Sequence, residues 1–168
     1  NCTFDGNSGA MGASTLILNA ATSFNKCSFS NNRNSGNGII YLNTSGTSSA
    51  EALFDGCVFS GNACKEGAAA GCMGGLYCYN NSTEGTVKAY VVNSLFENND
   101  SNGRGSGIYA RNNQAKDVYL LCANTTFVGN SCGSVGSAIN LYGAAAKKTV
   151  ADVVSCTITG NISKHETN

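Results

Sequence analysis

Apolar residues recur along this chain in short alternating runs, never in a sustained helical stripe. The most regular run is a phrase of an aromatic or Ile, two residues, then Asn. It occurs six times, at Phe4/Asn7, Phe29/Asn32, Phe59/Asn62, Phe96/Asn99, Phe127/Asn130 and Ile158/Asn161. Its aromatics stand at 4, 29, 59, 96, 127 and 158, so successive copies are 25, 30, 37, 31 and 31 residues apart. Two residues before each aromatic is a small side chain: Cys2, Cys27, Cys57, Ser94, Thr125 and Cys156. A period of this size is the signature of a solenoid, in which each repeat covers the apolar face of its neighbour.

Two more strand-like segments fall in each period. One follows a pair of small residues and reads Leu16–Leu18, Ile39–Tyr41, Leu76–Cys78, Ile108–Ala110 and Ile139–Leu141. The other precedes the next motif and alternates, with Ala20/Thr22/Phe24, Ala50/Ala52/Phe54, Val87/Ala89/Val91, Val118/Leu120/Cys122 and Thr149/Ala151/Val153 on one face. Three short strands per turn predict an all-β fold, a right-handed single-stranded parallel β-helix of about six coils. A propeller or sandwich would need antiparallel hairpins with two-residue turns, and few such turns stand at the right spacing. In the β-helix, Phe4, Phe29, Phe59, Phe96, Phe127 and Ile158 form one interior column. Asn7, Asn32, Asn62, Asn99, Asn130 and Asn161 form a second at the bend, each amide bonding to the next.

Composition narrows the function more than it names it. Charged residues are 12% of 168 and balance at ten of each sign, so no basic surface exists for nucleic acid. No apolar run approaches the roughly 18 residues of a membrane span. Pro is absent, which suits strands paired on both edges. Nine Cys, an odd number, leave at least one unpaired, and so many point to an extracellular or cell-surface setting. The Cys before each aromatic read as small, buried apolar residues. The chain reads as one domain, 1–168, a segment of a longer solenoid that continues end to end with further repeats of the same or a like chain.

The alternation of Phe-x-x-Asn with Gly74-Gly75-Leu76, Ser106-Gly107-Ile108, Asn37-Gly38-Ile39 and Ser137-Ala138-Ile139 resembles the repeats of the chlamydial polymorphic membrane proteins. Ser14-Thr15-Leu16 departs furthest from that pattern. The resemblance covers nearly the whole chain. It implies a surface-displayed β-helix serving as an adhesin or structural passenger, with surface glycans or host proteins as partners.

Candidate chemistry is sparse. β-Helix polysaccharide lyases and hydrolases need clustered carboxylates, whereas the outward column after the aromatic reads Asp5, Ser30, Ser60, Glu97, Val128, Thr159. Its two acids are three coils apart, or roughly 14 Å. Glu51 and Lys88 occupy matching positions of adjacent coils, as a surface ion pair would. The lone His165 lies near the end of the chain. No catalytic group, metal or cofactor is expected, and a carbohydrate-active enzyme is the alternative. Cys64 and Cys72 flank a Gly/Ala-rich excursion, residues 63–73, and are expected to staple it. Of seven Asn-x-Ser/Thr sequons, Asn99 and Asn161 belong to the ladder, while Asn43, Asn80 and Asn81 are expected in a turn where glycans project. An ice-binding array would need an unbroken Thr column. The column before the aromatic (Thr3, Ser28, Val58, Leu95, Thr126, Thr157) is broken at Val58 and Leu95.

Overall fold

The computed structural model describes residues 1–66, 68, 72–114, 116–144 and 147–164. His165 and parts of the two Ala-rich runs lie outside the described residues. The chain winds as a parallel β-helix, with every strand pair parallel and residues of successive coils in register.

Four sheets rather than three run along the stack. The motif sheet holds Thr3–Asp5, Ser28–Ser30, Val58–Ser60, Leu95–Glu97, Thr126–Val128 and Thr157–Thr159. A corner sheet follows it: Ser8–Met11, Arg33–Asn37, Ala63–Cys64, Asp100–Ser101, Ser131–Cys132 and Ile162–Ser163. Four of its six strands are two residues long, too short for alternation to register in the sequence. Next comes the tyrosine sheet, Thr15–Leu18, Ile40–Gly46, Leu76–Ser82, Ile108–Asn112 and Ile139–Gly143. The return sheet, Ala21–Asn25, Ala50–Asp55, Val87–Val92, Val118–Ala123 and Thr149–Val154, closes each coil.

Phenylalanines fill the interior in two perpendicular stacks. Phe4, Phe29, Phe59, Phe96 and Phe127 lie face over face with centroids 4.2–5.0 Å apart. Phe24 and Phe54 stack at 5.2 Å and meet Phe29 and Phe59 edge-on. Ile158 stands at the last motif position and is half-exposed. The remaining core comes from the inward columns of the return sheet, such as Ala52/Ala89/Leu120, and from Ile40, Leu76 and Ile108.

The Asn column saturates its hydrogen bonds. Each Nδ2 donates to Oδ1 of the next Asn: Asn7 to Asn32, Asn32 to Asn62, Asn62 to Asn99, Asn99 to Asn130 and Asn130 to Asn161, at 2.8–3.0 Å. Its second proton goes back to the motif carbonyl of the preceding coil, as from Asn62 to Phe29 at 2.8 Å. Each Oδ1 also accepts the backbone N–H of the Asn before it, as Asn62 does from Asn32 at 3.0 Å. Two donors and two acceptors are thus satisfied in a buried place where an unpaired polar group costs free energy.

Left-handed residues flank the motif strand and set its bends. Gly6, Asn31, Gly61, Asn98, Gly129 and Gly160 follow it with φ of 53–65°, and Lys26, Gly56, Asn93, Asn124 and Ser155 precede it with φ of 49–63°. Gly and Asn adopt that region at least cost, which explains the Gly or Asn before each ladder Asn. Cys27 and Cys57 are buried in the core as expected of the Cys in this column, and Cys57, Ser94, Thr125 and Cys156 share a polar role as well. Each donates its S–H or O–H to the carbonyl two residues back, at 2.7–3.6 Å, and to one in the preceding coil, at 3.3–3.4 Å. The shared trait of this column is a small side chain with one proton to give.

Candidate functional site

The register of the tyrosine sheet corrects the expected one. Leu76, Ile108 and Ile139 share their column with Thr15 and Ile40, not with Leu16 and Ile39. A one-residue slip moves a side chain to the opposite face of a sheet. The true register therefore assembles, on the outer face, the column Leu16, Tyr41, Tyr77, Tyr109, Asn140. Tyr41, Tyr77 and Tyr109 stack with centroids 5.1–5.2 Å apart and are nearly inaccessible, although they point away from the coil interior.

The excursion after Asn62 covers them. Met73, on its returning arm, packs on the three tyrosines to form a second, smaller core with Tyr79 at its edge. Cys64 and Cys72 are joined by a disulfide, with Cα atoms 6.0 Å apart, close to the usual separation. The buried Asn34 amide donates to the Met73 carbonyl, Met73 N–H donates to Gly36 at 3.2 Å, and Asn102 donates to the Ala68 carbonyl at 2.8 Å. The loop is thus tied to the coil before it and to the coil after it. Burial pushes the Tyr41 phenol up to about 12, the neighbouring Tyr79 adding to the shift. Burial raises Tyr77 further still, against the opposing charge of Arg111.

Beside this cover opens a cleft of about 300 Å³, lined by Met73, Asn102, Gly103, Arg104, Tyr109, Arg111 and Ser134. The next outward column of the tyrosine sheet runs Tyr79, Arg111, Tyr142 in register. The Arg111 guanidinium lies over Tyr79 at 5.6 Å and over Tyr142 at 5.5 Å, so a ring stands on either side of it along the stack. Arg104 comes from the next corner loop and lies 5.4 Å over Tyr142. Arg111 Nε donates to Asn113 at 3.0 Å, and the guanidinium also hydrogen-bonds the Tyr77 hydroxyl. Among the described residues the ion pair found is Lys164–Asp100, at 3.5 Å, so neither Arg104 nor Arg111 meets a carboxylate there.

The other residues singled out from the sequence disperse. Asp5 accepts from Asn31 at 3.0 Å and Glu97 from Ser60 at 2.9 Å, three coils apart in the outward column. Glu51 and Lys88 face each other in register but form no ion pair; they line a separate cleft of about 310 Å³. No group of three or more His, Cys, Asp or Glu able to hold a metal occurs among the described residues. The column before the aromatic stacks as expected, with Val58 and Leu95 interrupting Thr and Ser.

The glycosylation positions need correction. Their strands run on to Gly46 and Ser82, so none of the three lies in a turn. Asn80 is fully buried: it accepts from Thr44 at 2.9 Å and donates to Gly85 and Lys116, and Asn112 repeats the donation to Lys116 one coil on. Asn43 is half-buried. Asn81 is exposed, touching Gln114 at 3.2 Å.

No helix is long and apolar enough to cross a membrane among the described residues. No protein-family model, curated protein or solved structure matches the chain.

Proposed function

We propose that the chain is a non-catalytic structural or adhesive segment of an extracellular or cell-surface β-helix. The observation that carries this reading is where the repeated residues go. The motif Phe, Asn and Cys/Ser/Thr columns are spent inside the coil on stacking and saturated ladders, and the outward column beside the motif aromatics holds Asp5 and Glu97 three coils apart. The likeness of the repeat phrases to those of the chlamydial polymorphic membrane proteins supports the same reading. Its mechanism is geometric: a stiff stack presents the stapled loop, the arginine cleft and, at Asn81, a site for a glycan. Apolar side chains stand open on the first coil at Leu16 and Leu18 and on the last at Val153, Ile158 and Ile162. Further coils of the same or a like chain would cover them, since open parallel strands invite addition.

Sedimentation of the purified chain across a concentration series tests this. Association is expected and should be lost in Ile158→Asp; a chain that stays monomeric throughout contradicts end-to-end stacking. The second reading, a carbohydrate-active enzyme, draws on the cleft that Glu51 and Lys88 share. Release of unsaturated or reducing-end products from acidic polysaccharides, abolished in Lys88→Ala, would replace the first reading with this one.

A further inference from the structure

We infer that the arginine cleft beside the tyrosine column binds a carboxylated sugar residue. This deepens the adhesive part of the function proposed above and rests on it. The charge comes first. Arg104 and Arg111 border the same cleft, and no acid is among its lining residues. Rings occupy the faces of Arg111, and Asn113 and the Tyr77 hydroxyl engage part of its rim; the edge that stays open, beside the exposed Arg104, is what a carboxylate would meet. The Tyr79–Arg111–Tyr142 column holds that edge in place, so little side-chain freedom is lost on binding.

The rest of the lining suits a sugar ring better than a bare anion. Asn102 and Ser134 supply an amide and a hydroxyl for ring hydroxyls. Tyr142 is outside the lining itself but packs against both guanidiniums that border it, which fixes their positions. A volume of about 300 Å³ is at the lower end of small-molecule sites, enough for one or two sugar units. The floor is rigid because Tyr109 is buried in the stack and Met73, next to the disulfide at Cys72, is packed on the tyrosines.

The test is a calorimetric titration of the oxidised chain with three probes: a uronic-acid oligosaccharide, its neutral hexose counterpart and a sugar phosphate. The uronic oligosaccharide is expected to bind, with the neutral sugar at least tenfold weaker. Arg104→Gln, at an exposed side chain, should weaken binding roughly tenfold to a hundredfold, as loss of a charge-assisted pair does. Tyr142→Ala, which removes the ring packed against both guanidiniums, should also weaken the uronic oligosaccharide. Equal binding of the neutral sugar, tighter binding of the sugar phosphate, or no heat with any probe would overturn the inference. Sedimentation reads stacking separately: association without uronate binding defeats only this inference, and uronate binding by a monomer defeats only the stacking.

Discussion

Removing one rung from the middle of the Asn ladder should cost far more than removing one from its end. In Asn62→Ala, the Asn32 backbone N–H and one Asn32 Nδ2 proton both lose the Asn62 Oδ1 acceptor, each now 3.0 Å away. Asn99 Oδ1 keeps one partner, the Asn62 backbone N–H at 3.1 Å, so the penalty falls on the two stranded donors. A buried unpaired donor costs about 1–3 kcal/mol, giving about 2–6 kcal/mol for this change. Asn7 is exposed, and its loss strands no buried donor, so Asn7→Ala should cost under about 1 kcal/mol. Asn62→Asp keeps the shape and turns the donor into an acceptor facing the Phe29 carbonyl and Asn99 Oδ1. That carboxyl must stay protonated in the folded chain, so its folded pKa rises above the ordinary value of about 3.9. Its deficit against the native chain should therefore be smallest below about pH 4 and grow as pH rises toward the folded value. Urea unfolding followed by far-ultraviolet circular dichroism, with all variants sharing one m-value, measures these differences. Equal costs at positions 7 and 62, or an Asn62→Asp deficit that does not depend on pH, would refute the ladder argument.

Other consequences follow from the same packing. Thiol titration of the native chain should find Cys2 fast and Cys156 slower; Cys27, Cys57, Cys78, Cys122 and Cys132 should react only on unfolding, and Cys64 and Cys72 only after reduction. Burial holds the Cys122 thiol up to about 12 and Cys78 higher still, so raising the pH to 9 should not release them. Tyr41 and Tyr77 keep their protons in the folded state above the value near 10 at which unfolded tyrosines ionise. The stability they contribute is complete below about pH 10 and lost as pH rises through the folded values, so melting temperature should fall over that window. Gly75→Ala would set a Cβ 2.1 Å from the Gly107 carbonyl oxygen and should cost about 1–3 kcal/mol or more in the same urea assay. Gly6→Ala meets nothing within 4 Å and should cost about 1–2 kcal/mol, the strain of its positive φ alone.

The parts of the fold that could be read from the sequence are those with a repeated side-chain requirement. Phe, Asn and the small donor recur because stacking, amide pairing and the bend each admit few residue types. The return sheet was visible because its strands are five or six residues long and alternate. The corner sheet was not, since two-residue strands carry no period. In the tyrosine sheet both faces are apolar, so alternation could not choose between Ile39 and Ile40, or between Thr15 and Leu16, as the first inward residue. That ambiguity concealed the column of Tyr41, Tyr77 and Tyr109, and with it the cleft. The clue lay in three tyrosines at one position of the corrected register, beside a loop long enough to cover them. Arg104 and Arg111 come together only through the coil geometry, and their spacing in the sequence carries no sign of it. The burial of Asn80 was hidden for the same reason, because a strand three residues longer than its apolar part takes that side chain inside.

The central claim is that residues one coil apart stack in parallel register, with the Asn amides bonded along the stack. Nuclear magnetic resonance of the chain with labelled Asn, Phe and Tyr tests it most directly. The side-chain amide protons of Asn32, Asn62, Asn99 and Asn130 should resist exchange. Phe59 should show Overhauser contacts with Phe96, and Tyr77 with Tyr109. Amides that exchange at once, or contacts that pair Tyr77 with Ile108 in its place, would contradict the register and the cleft built upon it.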